Sequence, residues 1–334
     1  MLQITMSKRS DNATRYFDGQ DLQEGPVSIT EGRWGGKGAA RLGLGVKVSR
    51  EQFMALGNNK DPHTGKRLTM RQKKKRTCGY DMCFSVPKSL SLYLATQEDQ
   101  KVESMILDAF RETIALMEDN METRVRVNGR NETRSTGNMI YARFTHREAR
   151  PVNGLSDPHY HIHCYVFNAT FDPVEDRWKA GQFRGLKTDA LSYERAFHFS
   201  LGARLEREGY PIMMTRKGFE LASVSRGLIE KFSKRSKLLK ENFKTGKYTL
   251  DDIASRVRDA KNTVLFSPEE QKAHWIHQMS LQERESLKKE QVKSAVGISQ
   301  AMELGRAFVH LKNKKKNLHW AWKRANAYTQ ELYR

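Results

Sequence analysis

The stretch Asp157-Pro158-His159-Tyr160-His161-Ile162-His163-Cys164-Tyr165-Val166-Phe167-Asn168 constrains the fold of this chain more than any other. Its histidines recur at every second residue, the side-chain period of a β-strand. One face of that strand carries His159, His161 and His163, and the other carries Ile162, Cys164 and Val166. Three of the chain's ten histidines then crowd one face of one strand, a costly arrangement unless something uses them. Neutral imidazoles are good ligands for a divalent metal. His146 lies upstream, where a neighbouring antiparallel strand could add a fourth ring. The competing reading is a polar sheet edge whose histidines are all satisfied.

Other segments fit a sheet around that strand. Leu2 to Met6 alternates and reads as a first strand, followed by a short helix carrying Tyr16 and Phe17. Tyr80 to Val86 alternates too, with Asp81, Cys83 and Ser85 on one face and Tyr80, Met82, Phe84 and Val86 on the other. Asp81 then points the same way as a polar site. Pro87-Lys88-Ser89 opens a helix, and Thr96-x-x-Asp99 resembles a capping box with Asp in place of Glu. Val102, Met105, Ile106, Ala109, Phe110, Ile114 and Met117 form a helical stripe that belongs to a core. Arg124 to Val127 and Asn138 to His146 read as strands joined by a turn-rich loop. Strict alternation would put His146 on the face of Phe144 and Ala142, so this strand either bulges before His146 or has a mixed face. From Leu186 helices dominate: Leu191, Phe197, Leu201 and Leu205 form an apolar series, and Ile229 to Leu239 reads as helical and basic.

Charge narrows the function. The 334 residues hold 59 Lys+Arg against 39 Asp+Glu, a net +20. Such an excess repels itself unless a polyanion neutralises it, and the usual polyanion is nucleic acid. Residues 225–334 contribute +12 of that charge. Lys312 to Lys316 is the densest run there, with Trp320 and Trp322 beside it as candidates for stacking on bases. Lys73, Lys74, Lys75 and Arg76, in a second basic run, are suited to phosphates. Gly32 to Gly38 is glycine-rich but lacks the Ser or Thr that a phosphate loop needs after Lys37. Cys78, Cys83 and Cys164 have no C-x-x-C spacing, which argues against a disulfide framework or a cysteine zinc site. No run approaches the ~20 apolar residues of a membrane span, and the expected location is the cytoplasm.

Histidines that hold one divalent ion in a basic chain point to phosphate chemistry, with the ion as a Lewis acid on a non-bridging oxygen. A tyrosine hydroxyl is a feasible nucleophile and would leave a covalent phosphotyrosine. Asp81 could take its proton, or fix a histidine tautomer. His161-Ile162-His163 resembles the His-hydrophobic-His motif of the HUH endonucleases. The wider set is similar to the relaxase domain of TrwC/TraI-type (MOB-F) conjugative relaxases. The matching stretches are Tyr16 to Gly19, Trp34 to Leu44, Asp61 to Leu68, Gly79 to Leu92, His146 to Arg150, Asp157 to Thr170 and Phe232 to Arg235.

The resemblance implies an α+β fold, a central antiparallel sheet (the HUH palm) with helices mainly on one face. A nicking domain would span 1–240, and a basic, mostly helical region would span 241–334. His146, His161 and His163 would hold the ion, Mg²⁺ or Mn²⁺ first and Zn²⁺ as the alternative, while His159 would face DNA or support the ligands. Tyr16 would attack the scissile phosphate at a plasmid origin of transfer, keeping the 5′ phosphate and freeing a 3′ hydroxyl. Arg150 would contact phosphate, and Lys88, in the Pro-Lys-Ser run, is assigned to DNA as well. The expected partners are single-stranded and hairpin DNA of the origin, accessory relaxosome proteins and a coupling protein, in a bacterial cytoplasm. Two features depart from the family: Leu22 to Ile29 holds no second tyrosine, and the loop between His146 and His161 is several residues longer than usual. A rolling-circle replication initiator, an HUH transposase, a water-using metal hydrolase and a non-catalytic metal-stabilised DNA-binding module are the rival readings.

Overall fold

The computed structural model describes residues 2–8, 32–70, 76–215, 218–243 and 266–288. In chain order the first strands are β1 (Leu2–Ser7) and β2 (Arg33–Gly35), followed by helices α1 (Lys37–Arg41) and α2 (Arg50–Gly57). Strand β3 (Gly79–Ser85) leads into α3 (Lys88–Thr96) and α4 (Gln100–Asp119). A hairpin of β4 (Glu122–Val127) and β5 (Arg130–Ser135) precedes β6 (Tyr141–Glu148) and β7 (Pro158–Phe167). Short strands β8 (Thr170–Asp172), β9 (Arg177–Lys179) and β10 (Gly181–Gln182) lead to α5 (Arg184–Thr188) and α6 (Ala190–Arg207). Then come β11 (Ile212–Thr215), β12 (Gly218–Leu221), α7 (Arg226–Lys231), α8 (Lys234–Phe243), α9 (Pro268–His277) and α10 (Leu281–Ser286).

The central sheet runs β1-β3-β7-β6-β2, every neighbour antiparallel. The histidine strand is therefore its middle strand. One face is fully covered: Met82, Phe84, Ile162, Cys164 and Val166 are buried in the same core as Ile106 and Phe110 of α4 and Phe197 and Leu201 of α6. The other face is divided. Near Phe167, α2 lays Phe53 and Leu56 over Trp34, Ala142, Phe144 and Tyr165. Towards the start of β7 the same face passes to histidines.

That division resolves the parity of β6. His146 does lie on the face of Phe144 and Ala142, paired with His161, and the register shift falls after it, between His146 and Glu148. The face is mixed along its length, apolar under α2 and polar beyond it.

The glycine-rich stretch at 35–38 is structural. A Cβ on Gly38 would stand 2.6 Å from the Met139 carbonyl, and Gly36 has φ +93. This close approach lets the Glu118 carboxylate accept from both Lys37 N and Met139 N, pinning α1 to the entry of β6.

Several expectations change. Residues 130–135 pair with β4 although their pattern is wholly polar. The helix α4 is capped by Asp99, whose side chain accepts from Lys101 N and Val102 N; Thr96 is the last residue of α3 and donates back to Leu92 and Tyr93. Leu191 is exposed and Tyr193 takes the buried position at the start of α6. The basic helix expected over 229–239 breaks at Phe232, whose ring is buried, into α7 and α8.

The Asp-Pro and Phe-Ser-Lys-Arg motifs meet here. Asp157 accepts from Lys234 N at the start of α8, 2.8 Å away, and its other oxygen lies 3.1 Å from Lys234 Nζ. The preceding Ser156 carbonyl accepts from Trp275 Nε1 of α9 at 2.8 Å, and Trp275, Met279 and Leu287 join the main core. Lys312 to Lys316, Trp320 and Trp322 lie outside the described residues.

Candidate functional site

Strand pairing brings the site together from three strands. Cys83 of β3 pairs with His163 of β7, and Ser85 with His161, while on the other side His146 of β6 pairs with His161. Side chains directly opposite on one face lie about 5 Å apart. The rings follow: His146 and His161 have centroids 5.1 Å apart, His146 and His163 4.9 Å, and His161 and His163 4.9 Å. This near-equilateral triangle suits three imidazoles meeting at one ion, each nitrogen about 2.1 Å from it.

Each nitrogen can be followed. His163 Nδ1 lies 3.0 and 2.9 Å from the two oxygens of Asp81, so Nδ1 is the donor to that carboxylate and Nε2 is the nitrogen left for a ligand. His161 Nδ1 donates to the carbonyl of His159 at 2.9 Å, which again leaves Nε2 as the acceptor. His146 is only 2 % exposed, and its Nε2 has no hydrogen-bond partner. A buried imidazole nitrogen without a partner costs about 1–3 kcal/mol, unless a ligand takes its lone pair.

Burial keeps two rings of the triangle, His146 and His161, uncharged. Burial, then the neighbouring rings, lowers the pKa of His146 to about 2, and burial followed by His163 lowers that of His161 to about 3. His159 also falls well below the usual imidazole range, chiefly through burial. Neutral imidazoles in water near neutral pH are the form that binds a cation. The donor set and the orphaned nitrogen thus fit a divalent ion held by His146, His161 and His163.

The remaining sequence-derived residues fall in different places. His159 stacks on His161, centroids 4.7 Å apart, and its Nε2 is 3.3 Å from Ser85 Oγ. Lys88, its pKa lowered to about 8 mainly by burial, donates to the Pro158 carbonyl at 2.6 Å, at the head of the histidine strand. Arg76 donates to the Asn168 carbonyl at 2.9 Å, at the far end of that strand. Arg150 is exposed in the loop between β6 and β7. Tyr16, Lys73, Lys74 and Lys75 lie outside the described residues.

The sequence reading left Cys83 without a role. The coordinating atoms of Cys83, His161 and His163 all lie within 4.8 Å of one another. The signal was the shared face with Asp81; what the sequence lacked was the register that sets Cys83 opposite His163.

Comparison with known proteins gives one consistent answer. The TrwC relaxase family profile matches residues 6–281. The multifunctional conjugation protein TraI of Escherichia coli is 28% identical over 290 residues, covering 83% of this chain. The chain spans only 16% of that protein's length. A solved structure of the conjugative relaxase TrwC in complex with mutant oriT DNA is 25% identical, with a TM-score of 0.70 over 82% of this chain and 96% of that one. A metal-bound structure of TrwC with oriT DNA is 24% identical, has a TM-score of 0.73, and covers 88% of this chain and all of that one, a likeness of fold.

Proposed function

The chain belongs to the TrwC relaxase family, and from that premise we propose that it nicks and rejoins one DNA strand at a plasmid origin of transfer, using Tyr16 as nucleophile. The observation that carries this reading is the triangle of imidazoles, centroids 4.9–5.1 Å apart, with Asp81 orienting one of them. An ion held there supplies a Lewis acid for a phosphate oxygen and helps orient the phosphodiester.

The chain's own residues do the rest. The Tyr16 oxygen forms a bond to the scissile phosphorus as the bond from phosphorus to the 3′ oxygen breaks. The phenol proton is released to solvent and the departing 3′ oxygen gains one. One phosphodiester replaces another, so the strand can be rejoined by the reverse reaction. Both Asp81 oxygens lie within hydrogen-bonding distance of His163 Nδ1, which supports orientation of that ring as the role of Asp81.

Chain reach supports Tyr16. Ser7 pairs with Gly79, and Cys83, four residues along β3, pairs with His163. At about 3.4 Å per residue and 4.8 Å per strand, Ser7 and His163 stand roughly 17 Å apart. Nine residues from Ser7 to Tyr16 can span about 30 Å.

The exposed Arg150 fits a phosphate contact, and the excess of Lys and Arg fits single-stranded and hairpin DNA of the origin. No described helix is long and apolar enough to cross a membrane. A bacterial cytoplasm, with relaxosome proteins and a coupling protein as partners, is the setting this reading implies. The test is incubation of the chain and a divalent metal with labelled single-stranded oligonucleotides from candidate origins, resolved on a denaturing gel. A shifted protein–DNA band that Tyr16→Phe abolishes is expected. Cleavage without that band would favour water as nucleophile, and an unchanged band in Tyr16→Phe would remove Tyr16.

A further inference from the structure

The His161–His163 pair is flanked on both sides, by the imidazole of His146 on β6 and by the thiol of Cys83 on β3. The first offers a third nitrogen, its buried Nε2 without a hydrogen-bond partner. We propose that Cys83 Sγ is a fourth protein donor of the same centre, and that it biases the site towards thiophilic ions of the zinc class over Mg²⁺ and Mn²⁺. This rests on the reading of His161 and His163 as metal ligands.

Three observations carry it. The sulfur and the ligand atoms of His161 and His163 lie within 4.8 Å of one another, a spacing that one ion can collapse by small rotamer changes. The Cys83 thiol has only a weak local partner, Ser85 Oγ at 3.9 Å, so a metal competes there with the thiol's own proton, whose pKa burial pushes up to about 12, rather than with a strong hydrogen bond. Against the same two rings stands His146, its buried Nε2 unpartnered. The other thiols are placed elsewhere: Cys164 is buried among the helix-side core, and Cys78 sits at the opposite end of the sheet, its amide donating to Ser7 O.

The chemistry follows from donor softness. A set of three imidazole nitrogens and one sulfur is a tetrahedral, borderline-soft set that suits Zn²⁺ and Co²⁺, whereas Mg²⁺ prefers octahedral oxygen. On binding, a sulfur–metal bond forms and the thiol proton is released to solvent. Four protein donors fill a tetrahedral sphere, so Cys83 is the donor that a phosphate oxygen must displace or join.

The test uses the full chain and Co²⁺ as a spectroscopic probe. The expected spectrum has the visible bands of tetrahedral cobalt together with a near-ultraviolet thiolate-to-cobalt charge-transfer band. Cys83→Ser and Cys83→Ala should lose the second and keep the first. Zn²⁺ affinity should fall about tenfold or more in both variants, while Mn²⁺ affinity changes less than about threefold. Zn²⁺ should also protect one thiol of the native chain from alkylation, a readout independent of either variant's folding. Visible bands without the thiolate band overturn the proposal and leave the histidine centre standing. No cobalt bands at all overturn both.

Discussion

Asp81→Ala tests how the centre is held. Both Asp81 oxygens lie at hydrogen-bonding distance from His163 Nδ1, and the two side chains are only 21% and 20% exposed. The pair is therefore shielded enough to count, yet not so buried that desolvation cancels it. Removing the carboxylate frees His163 to put its proton on either nitrogen and to rotate. Losing such an outer partner typically weakens metal binding 10–100-fold. The two-oxygen geometry places this site in the upper part of that range, about 2–2.7 kcal/mol. Asp81→Asn keeps an oxygen that can accept from Nδ1 but loses the charge, and should cost about tenfold. Isothermal titration with Mn²⁺ and with Zn²⁺ at neutral pH should rank wild type above Asn and Asn above Ala, with circular dichroism unchanged. Equal affinity in wild type and Asp81→Ala would refute the claim that Asp81 sets the tautomer.

Three further outcomes are expected. In chelator-treated protein, His146 and His161 have folded pKa values depressed to about 2 and about 3, so only the unfolded chain takes up their protons as pH falls below 6.5. Stability should thus be full above pH 7 and drop by about 2 kcal/mol per ring by pH 5, seen as a falling melting temperature; a flat profile contradicts this. Phe53→Ala removes a fully buried ring seated 4.9 Å from Phe167 and 5.2 Å from Tyr165, and should cost about 3–5 kcal/mol in urea unfolding. Single-strand affinity should fall steeply with salt, and Arg150→Ala should flatten the log–log slope by about 0.7; an affinity indifferent to salt would remove the DNA reading.

How far the sequence disclosed this site depends on which physical signal each residue left. The face of His159, His161 and His163 was legible because a strand's period is two. Asp81 was legible for the same reason, one strand away. The sequence places His146 on a neighbouring antiparallel strand, but a bulge and a mixed face stay open for it, because two different neighbours, α2 and the rings of β7, share one face of β6 and blur its pattern. Strand β5 left no hydrophobic trace at all, since it lies at the edge of its small sheet with nearly every residue in solvent. Asp99 was misjudged by three positions because a cap is set by where α3 ends, and Thr96 still bonds within α3. The sequence of the glycines at 35–38 says only that they are not a phosphate loop; that they serve a backbone approach to Met139 is something only the folded sheet reveals.

The central claim joins an imidazole-bound cation to a phenol near the start of the chain. Peptide mass spectrometry of the protein trapped on a cleaved origin oligonucleotide addresses both at once, run with and without chelator. The account requires a 5′-phosphorylated strand esterified to Tyr16 in metal-loaded protein, and its loss on chelation and in His161→Ala. An adduct on any other residue, or a free 5′ phosphate with no adduct, would contradict it.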